Sequence, residues 1–382
     1  MGCDNKMKVL HLISGGDGGG AKTHVITLLK RLMKEGIDVE LLCIMEGVFT
    51  KEAKEANIPI KIIHQKKRYS LKPILDIKKY IFDGDYDLIH CHGARANYIA
   101  FFIKNSFNIP FITTLHSDYK LDFKDSIYKQ AIFMPINAIA LRKFDYILAV
   151  TNAFKNMLIK RGFNDKKLKV IYNGIDMEKK IEPLEKKEFL AKYNIPYKED
   201  YVYVGIAARL QIVKGLKHFL EASKILLKDN KNIIFLIAGS GNLEESMKSF
   251  IKDNNLQNNV KMLGFINDID SFYNAIDINV LTSYSESFPY ALLEGARLKK
   301  ATIATMVGGI PEMIKNNETG LLIKSHSSED VAKKIDILLK DRELMSSFGE
   351  NFYKYAYDHF SDTKMAKTHI DIYKNIIKEI KR

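Results

Sequence analysis

The sequence predicts an α/β chain of two domains, each a doubly wound parallel sheet, facing each other across a central cleft. Three observations carry this. Short apolar runs alternate with amphipathic helical stretches, and the alternation runs twice along the chain. At 382 residues the chain exceeds one typical core and suits two domains of about 150–200 residues each. Between the two alternations, Glu178 to Asp200 is dense in Lys and Glu and carries Pro183 and Pro196. The expected boundaries are 1–180 for the first domain, 181–200 for a linker with one short helix, and 201–360 for the second domain. Residues 361–382 form a terminal helix expected to pack back toward the first domain.

In the first alternation, Met7–Ile13 reads as a buried parallel strand. The turn Ser14-Gly15-Gly16-Asp17-Gly18-Gly19-Gly20 follows, and Ala21-Lys22-Thr23-His24 opens a helix to about Glu35. Strand, glycine turn and helix form a phosphate-approach geometry, because glycines bring backbone close and leave N–H groups free. No Gly-Lys-Ser/Thr closes the turn, so it is not a Walker loop. Further strands read at Asp38–Met45, Ile60–Ile63, Asp87–Cys91, Phe111–Leu115 and Tyr146–Val150. His92 and His116 each end a strand and so point toward the edge where ligands bind. The Asp83-Gly84-Asp85 pair precedes its strand and reads as a polar turn, not a metal–diphosphate site. Leu121–Phe144 is helical, basic and apolar, with Pro135 expected to break or kink it. It reads as a core-facing helix or as a face that docks on a membrane.

The second alternation opens with the strand Tyr201–Ala207 and the loop Ala208–Gly215, which carries Arg209 and Lys214. A bidentate guanidinium and a point-charge ammonium there suit a diphosphate. Ile233–Ala238 runs into Gly239-Ser240-Gly241, and Val260–Leu263 into Gly264. Asp277–Thr282 is the next strand. After it come Glu286 in a loop, Pro289 where a helix can begin, and Glu294 inside that helix. Two carboxylates thus bracket a helix N-terminus at the carboxyl end of a strand, suiting a phosphate that carries hydroxyls. Ala301–Ala304, the loop Val307-Gly308-Gly309-Ile310-Pro311-Glu312, Leu321–Ile323 and helices Ser328–Lys340 and Asp362–Arg382 complete the chain.

The bulk composition excludes several classes. With 46% hydrophobic and 27% charged residues, the chain is ordinary globular material and not a disordered one. Cys3, Cys43 and Cys91 lie far apart without metal-ligand spacing, which argues for a reduced compartment with no disulfide frame and no zinc site. No run reaches the roughly 18 apolar residues of a membrane span. The polar N-terminus reads as no signal peptide, and Lys6 breaks the myristoylation pattern. The net charge of +13 fits an anionic substrate or an anionic membrane surface, and equally lysine-rich faces that are only solvated. No nucleic-acid partner is expected, since no such motif accompanies the charge and the lysines are dispersed over helices.

Taken together, Arg209-x4-Lys214-Gly215, Ala238-Gly239-Ser240-Gly241, Glu286-Ser287-Phe288-Pro289 through Glu294, and Gly308-Gly309-Ile310-Pro311-Glu312 resemble the retaining glycosyltransferases of family 4. The resemblance covers nearly the whole chain and implies the GT-B architecture of two Rossmann-like domains. It implies that Arg209 and Lys214 hold the departing nucleoside diphosphate, Glu286 the donor sugar and Glu294 the ribose hydroxyls. Gly19 and Gly20 would face the phosphate or sugar from the other domain, and His116 would line the sugar side. Gly239 and Gly241 would bring backbone close to the nucleotide, as would the loop of Ser287, Phe288 and Pro289. Lys22 stands where the family usually has an acidic residue.

The expected reaction moves a sugar from a UDP- or GDP-sugar to a glycan or lipid-linked acceptor hydroxyl with retained configuration. Positive charge at the diphosphate does the work a metal does elsewhere, so no metal or other cofactor is expected. The family further implies bacterial surface-polysaccharide or glycolipid assembly, by a cytoplasmic protein that is peripheral on the inner face of the membrane. A sugar-nucleotide epimerase on the same scaffold, and a non-catalytic sugar-nucleotide binder, are the alternatives.

Overall fold

The computed structural model describes residues 6–16, 19–65, 71–120 and 127–380. Cys3, Asp17, Gly18, residues 121–126 and Lys381–Arg382 lie outside the described residues, as do the side chains of Ile127, Lys129 and Phe133. The chain forms two compact units, Met1–Asp176 with Ser361–Arg382, and Met177–Phe360.

In the first unit the strands are β1 (Lys8–Ile13), β2 (Asp38–Cys43), β3 (Ile60–Ile62), β4 (Leu88–His92), β5 (Phe111–Leu115), β6 (Tyr146–Ala149) and β7 (Leu168–Val170). They form a seven-stranded parallel sheet in the order β3-β2-β1-β4-β5-β6-β7. The order reverses between β1 and β4. Helix Gly20–Lys34 turns Val25, Leu28, Leu29 and Leu32 inward at helical spacing. The terminal helix Asp362–Ile380 adds Met365, Ala366, Tyr373 and Ile376 to the same core. It enters through the Asp362 N–H, which donates to Ile175 O at 2.9 Å. Helix Ile127–Lys143 runs through Pro135 without ending there. The Asp-x-Asp segment is a turn: the Lys8 N–H donates to Asp87 Oδ2 and the Lys8 ammonium to Gly84 O. Strand β7 escaped the sequence reading because its three residues sit among lysines and only Leu168 is buried.

The second unit contains β8 (Val202–Ala207), β9 (Ile233–Ala238), β10 (Val260–Gly264), β11 (Ile278–Leu281), β12 (Ala301–Thr305) and β13 (Leu321–Ile323). They form a six-stranded parallel sheet in the order β10-β9-β8-β11-β12-β13, reversing between β8 and β11. Strand β9 is buried at every position, as a sheet covered on both faces requires.

Residues 181–200, expected to be a linker, belong to this unit. Helix Lys186–Lys192 buries Phe189 and Leu190, and Ile195 joins them against Phe272, Tyr273 and Ile276. The abundant Lys and Glu concealed a few deeply packed apolar side chains. Helix Arg342–Phe360, absent from the sequence reading, buries Phe348, Phe352, Ala356 and Phe360 at four-residue spacing. Among the described residues no helix is long and apolar enough to cross a membrane.

Candidate active site

In an open parallel sheet, ligands settle at the carboxyl edge where the strand order reverses. In the second unit that point lies between β8 and β11, and the loop after each strand carries a predicted residue. Lys214 ends a single 3-10 turn after β8. Its ammonium lies 2.5 Å from Glu286 Oε1 in the loop after β11, with the two side chains 17% and 10% exposed. The Ser283 hydroxyl donates to the same oxygen at 2.7 Å.

The pair is held by backbone on both sides. The Thr282 hydroxyl donates to Lys214 O at 3.0 Å, and the Tyr284 N–H donates to Val213 O at 2.8 Å. Gly215 adopts φ 61°, and a Cβ there would lie 2.1 Å from Thr282 O. Gly308, with φ 55°, presses so close to the Glu286 carbonyl that a Cβ would lie 1.7 Å from the oxygen. The Thr305 hydroxyl donates to Ser283 O at 2.7 Å. The ends of β8, β11 and β12 are thereby tied into one edge. Arg209 is exposed on the β8 loop, and its side chain makes no hydrogen bond or ion pair to a described residue. The edge therefore offers one open cation and one cation neutralised by a carboxylate.

Gly239 and Gly241 follow β9 at φ 139° and 159°, and a Cβ on either would strike Ala208 O or Leu210 O. The Leu210 N–H donates to Ser240 O at 2.9 Å. Packing of two loops thus accounts for both glycines without a ligand. Phe288 is buried with its ring edge-on to Phe360, Pro289 is buried, and Ser287 is half-buried. Pro289 caps the start of helix Tyr290–Arg297 without a side-chain hydrogen bond.

Glu294, on that helix, makes no hydrogen bond or ion pair with Lys214 or Glu286. It is half-buried beside Tyr273, Arg297 and Asp270. Burial is the largest influence on its carboxyl and pushes the pKa up to about 7; Asp270 adds to the rise, while Arg297, Tyr273 and Lys179 oppose it. The Tyr273 hydroxyl is near enough to sense this charge, although it makes no hydrogen bond of good geometry. Arg297 pairs with Asp270, which also takes Lys179 at 3.0 Å. Asp270, absent from the sequence reading, is what anchors Arg297 near Glu294.

In the first unit the order reverses between β1 and β4, and the glycine turn follows β1. Gly19 caps helix Gly20–Lys34 at φ 64° with open space where a Cβ would stand, and Gly20 is exposed. Lys22 pairs with Glu52 at 2.5 Å, so an acid does reach this helix start, from the helix Val48–Glu55.

His116, just past β5, is half-buried and part of a larger assembly. His11 on β1, His24 on the first helix, His90 and His92 on β4, and His369 on the terminal helix gather around it, all fully buried. His11 Nδ1 lies 3.0 Å from His92 Nε2, and His92 Nδ1 lies 3.2 Å from His116 Nε2. His90 bonds the Tyr373 hydroxyl at 2.6 Å and the Thr114 hydroxyl at 2.7 Å. Burial holds these rings neutral and draws His11 down to about 3 and His116 and His369 to about 4. Four of the six were missed, although His90-x-His92 with His11 on the neighbouring strand was a visible signal: His11 pairs with His90 in register.

The comparisons with known proteins agree with this architecture. Residues 18–179 match the family model described as Glycosyltransferase Family 4. Residues 186–355 match the model described as Glycosyl transferases group 1. The chain is 23% identical over 385 residues to the Escherichia coli UDP-Gal:alpha-D-GlcNAc-diphosphoundecaprenol alpha-1,3-galactosyltransferase, covering 98% of each chain. It is 25% identical to the Campylobacter jejuni N,N'-diacetylbacillosaminyl-diphospho-undecaprenol alpha-1,3-N-acetylgalactosaminyltransferase, covering 95% of this chain and 98% of that one. Among solved structures, Anabaena HepE in complex with UDP superposes with a TM-score of 0.84 at 20% identity, covering 97% of this chain and 100% of that one. A glycosyltransferase from Rickettsia africae gives 0.81 at 24% identity, covering 98% and 99%.

Proposed function

The chain belongs to the family 4, group 1 glycosyltransferases, enzymes that transfer sugars, and we propose that it moves a sugar from a UDP- or GDP-linked donor to an acceptor hydroxyl with retention. The observation that carries this reading is the Lys214–Glu286 pair at the β8–β11 reversal, with exposed Arg209 on the same loop.

The chemical problem is leaving-group charge. As the glycosidic bond breaks, negative charge grows on the β-phosphate and positive charge on the anomeric carbon. Fixed cations aimed at that phosphate are often the largest catalytic contribution. Glu286 and the backbone ties hold the Lys214 ammonium in place before substrate arrives, and Arg209 is free to close on the diphosphate. In this reading Glu286 also meets the donor sugar, Glu294 takes the ribose hydroxyls, and His116 serves the sugar side. The two cations neutralise the leaving group, so transfer proceeds without a metal at the diphosphate. Retention follows from same-face attack by the acceptor, its proton accepted by the departing phosphate oxygen.

The relatives from Escherichia coli and Campylobacter jejuni are named for undecaprenol-diphosphate acceptors. A lipid-linked glycan is accordingly the proposed acceptor, used at the inner membrane surface in polysaccharide or glycolipid assembly. The exposed Lys364, Lys367, Lys374 and Lys378 of the terminal helix suit that anionic surface.

The test is a thermal-shift screen of nucleotide sugars, then a transfer assay with the stabilising donor. A ligand at 100 times its dissociation constant adds about 2.7 kcal/mol of stability. Transfer to a lipid-linked acceptor with an α-linked product from an α-linked donor supports the reading. Isomerisation of the donor without acceptor, or binding with no transfer, overturns it.

A further inference from the structure

The six clustered histidines of the first unit are not used by the chemistry above beyond His116. Hydrogen bonding alone does not account for them. His11 Nε2, His24 Nε2, His116 Nδ1 and His369 Nε2 are buried and bond to no described residue, and of these four atoms His24 Nε2 is the one that falls to the site argued below. Each unmade bond of this kind costs about 1–3 kcal/mol. A network built only for packing would close on these atoms or replace the rings with apolar ones.

His24 is the most informative. Its Nδ1 lies 2.9 Å from Asn173 Oδ1, an atom that only accepts. The proton therefore sits on Nδ1, and Nε2 carries a bare, buried lone pair. That is how a metal-binding histidine is oriented: one nitrogen donates to an oxygen while the other faces the ion. His24 lies with its ring centroid 4.7 Å from that of His116. One nitrogen from each of His24, His92 and His116 lies within 4.8 Å of the other two. Zinc–nitrogen bonds of about 2.0–2.1 Å in a tetrahedron place ligand nitrogens about 3.4 Å apart. The 3.2 Å between His92 Nδ1 and His116 Nε2 already has that spacing.

We propose that His24, His92 and His116 form a three-histidine site for a divalent transition metal of the zinc class, its fourth position open to the adjoining cavity. That cavity, of about 340 Å³, is lined by His92, His116, Ser14, Arg95, Asn97 and Thr114 among others. Neutral imidazoles without a carboxylate select Zn²⁺, Co²⁺, Ni²⁺ or Cu²⁺ over Mg²⁺ and Ca²⁺. Because the three rings bring no negative charge, the bound ion keeps its full charge and favours an oxygen anion or hydroxide as fourth ligand. The second triad, His11, His90 and His92, is the weaker site, because both His90 nitrogens already bond Thr114 and Tyr373. The site lies in the first unit and shares His116 with the donor reading above, but its metal-binding test does not depend on that reading.

The test uses the full chain without affinity-tag histidines, stripped with a chelator and titrated with Co²⁺. The expected result is one equivalent bound with the intense visible absorption of four-coordinate cobalt, displaced by Zn²⁺, and a Zn²⁺-dependent rise in melting temperature. His24→Gln and His116→Gln should each weaken binding at least 10-fold and abolish that rise, while the exposed His359→Gln should change neither. If His24→Gln does not fold, the half-buried His116 variant decides. Weak octahedral cobalt spectra in the wild type overturn the proposal. So does binding undiminished in the folded variants, which would place the ion on other rings such as His218 and His326.

Discussion

Replacing Glu294 with Gln should stabilise the free protein at the cost of its ligand. Burial raises the Glu294 carboxyl to about 7 from the ordinary 4.5 of a glutamate. A folded-state pKa above the unfolded one means the native chain binds the proton more tightly. The native state is then favoured at low pH, and stability is lost as pH rises from 4.5 through 7. By that linkage, holding the ionised carboxylate in place at pH 8 costs on the order of 3 kcal/mol, and at pH 5 less than about 1 kcal/mol. Gln has nearly the same shape and no charge. In a unit the size of Met177–Phe360, 1 kcal/mol moves the melting temperature by about 2–4 °C. Glu294→Gln should therefore melt roughly 6–12 °C higher than the wild type at pH 8, with most of that gain gone at pH 5. Both proteins share the buried histidines, so the difference between their melting curves isolates position 294. The same variant should bind UDP at least about tenfold more weakly, the loss expected for a charged hydrogen-bond acceptor. Equal melting temperatures at pH 8, or a gain that is the same at pH 5 and pH 8, would mean that the Glu294 carboxyl is not raised by burial.

Three further outcomes are expected. Lys214→Ala should lower the transfer rate by about 10²–10³ with the fold retained, as removing other charge-stabilising donors does; steady-state kinetics at saturating donor checks it, and unchanged turnover counts against the assignment. Gly308→Ala places a Cβ 1.7 Å from Glu286 O in a left-handed conformation; it should cost at least 1–3 kcal/mol in thermal unfolding, by roughly the strain of such backbone, and raise KM for the donor by displacing Glu286. Tyr373→Phe removes the hydroxyl 2.6 Å from His90 Nδ1; it should destabilise the chain by about 1–3 kcal/mol in denaturant melts, with UDP affinity unchanged, since the proposed diphosphate contacts Lys214 and Arg209 lie in the other unit.

Much of the fold was legible because parallel strands buried on both faces read as continuous apolar runs, as Ile233–Ala238 does. What escaped was masked by charge or brevity. Lysines surround Leu168–Val170, and Lys and Glu surround Phe189 and Leu190. Arg342–Phe360 was legible in its Phe348, Phe352, Ala356 and Phe360 spacing and went unread. For the site, Arg209, Lys214 and Glu286 stood out as charges in the loops after strands, and Glu294 as a carboxylate in the helix that follows. The direct Lys214–Glu286 pair did not, because the residues lie 72 apart in sequence and meet only where β8 neighbours β11. Asp270 was unreadable for the same reason. The two glycines after β9 looked like nucleotide contacts, yet the carbonyls of Ala208 and Leu210 are enough to require them. Sequence shows that a residue cannot carry a side chain, but not what occupies the space.

If the β8–β11 reversal grips the diphosphate of the donor, a crystal of the protein soaked with UDP or GDP should show it. Diphosphate oxygens should lie within hydrogen-bond distance of Lys214 Nζ and the Arg209 guanidinium, with the 2.5 Å Lys214–Glu286 contact lengthened as the ammonium turns to phosphate. A nucleotide bound elsewhere, leaving that contact intact and Arg209 in solvent, would contradict it.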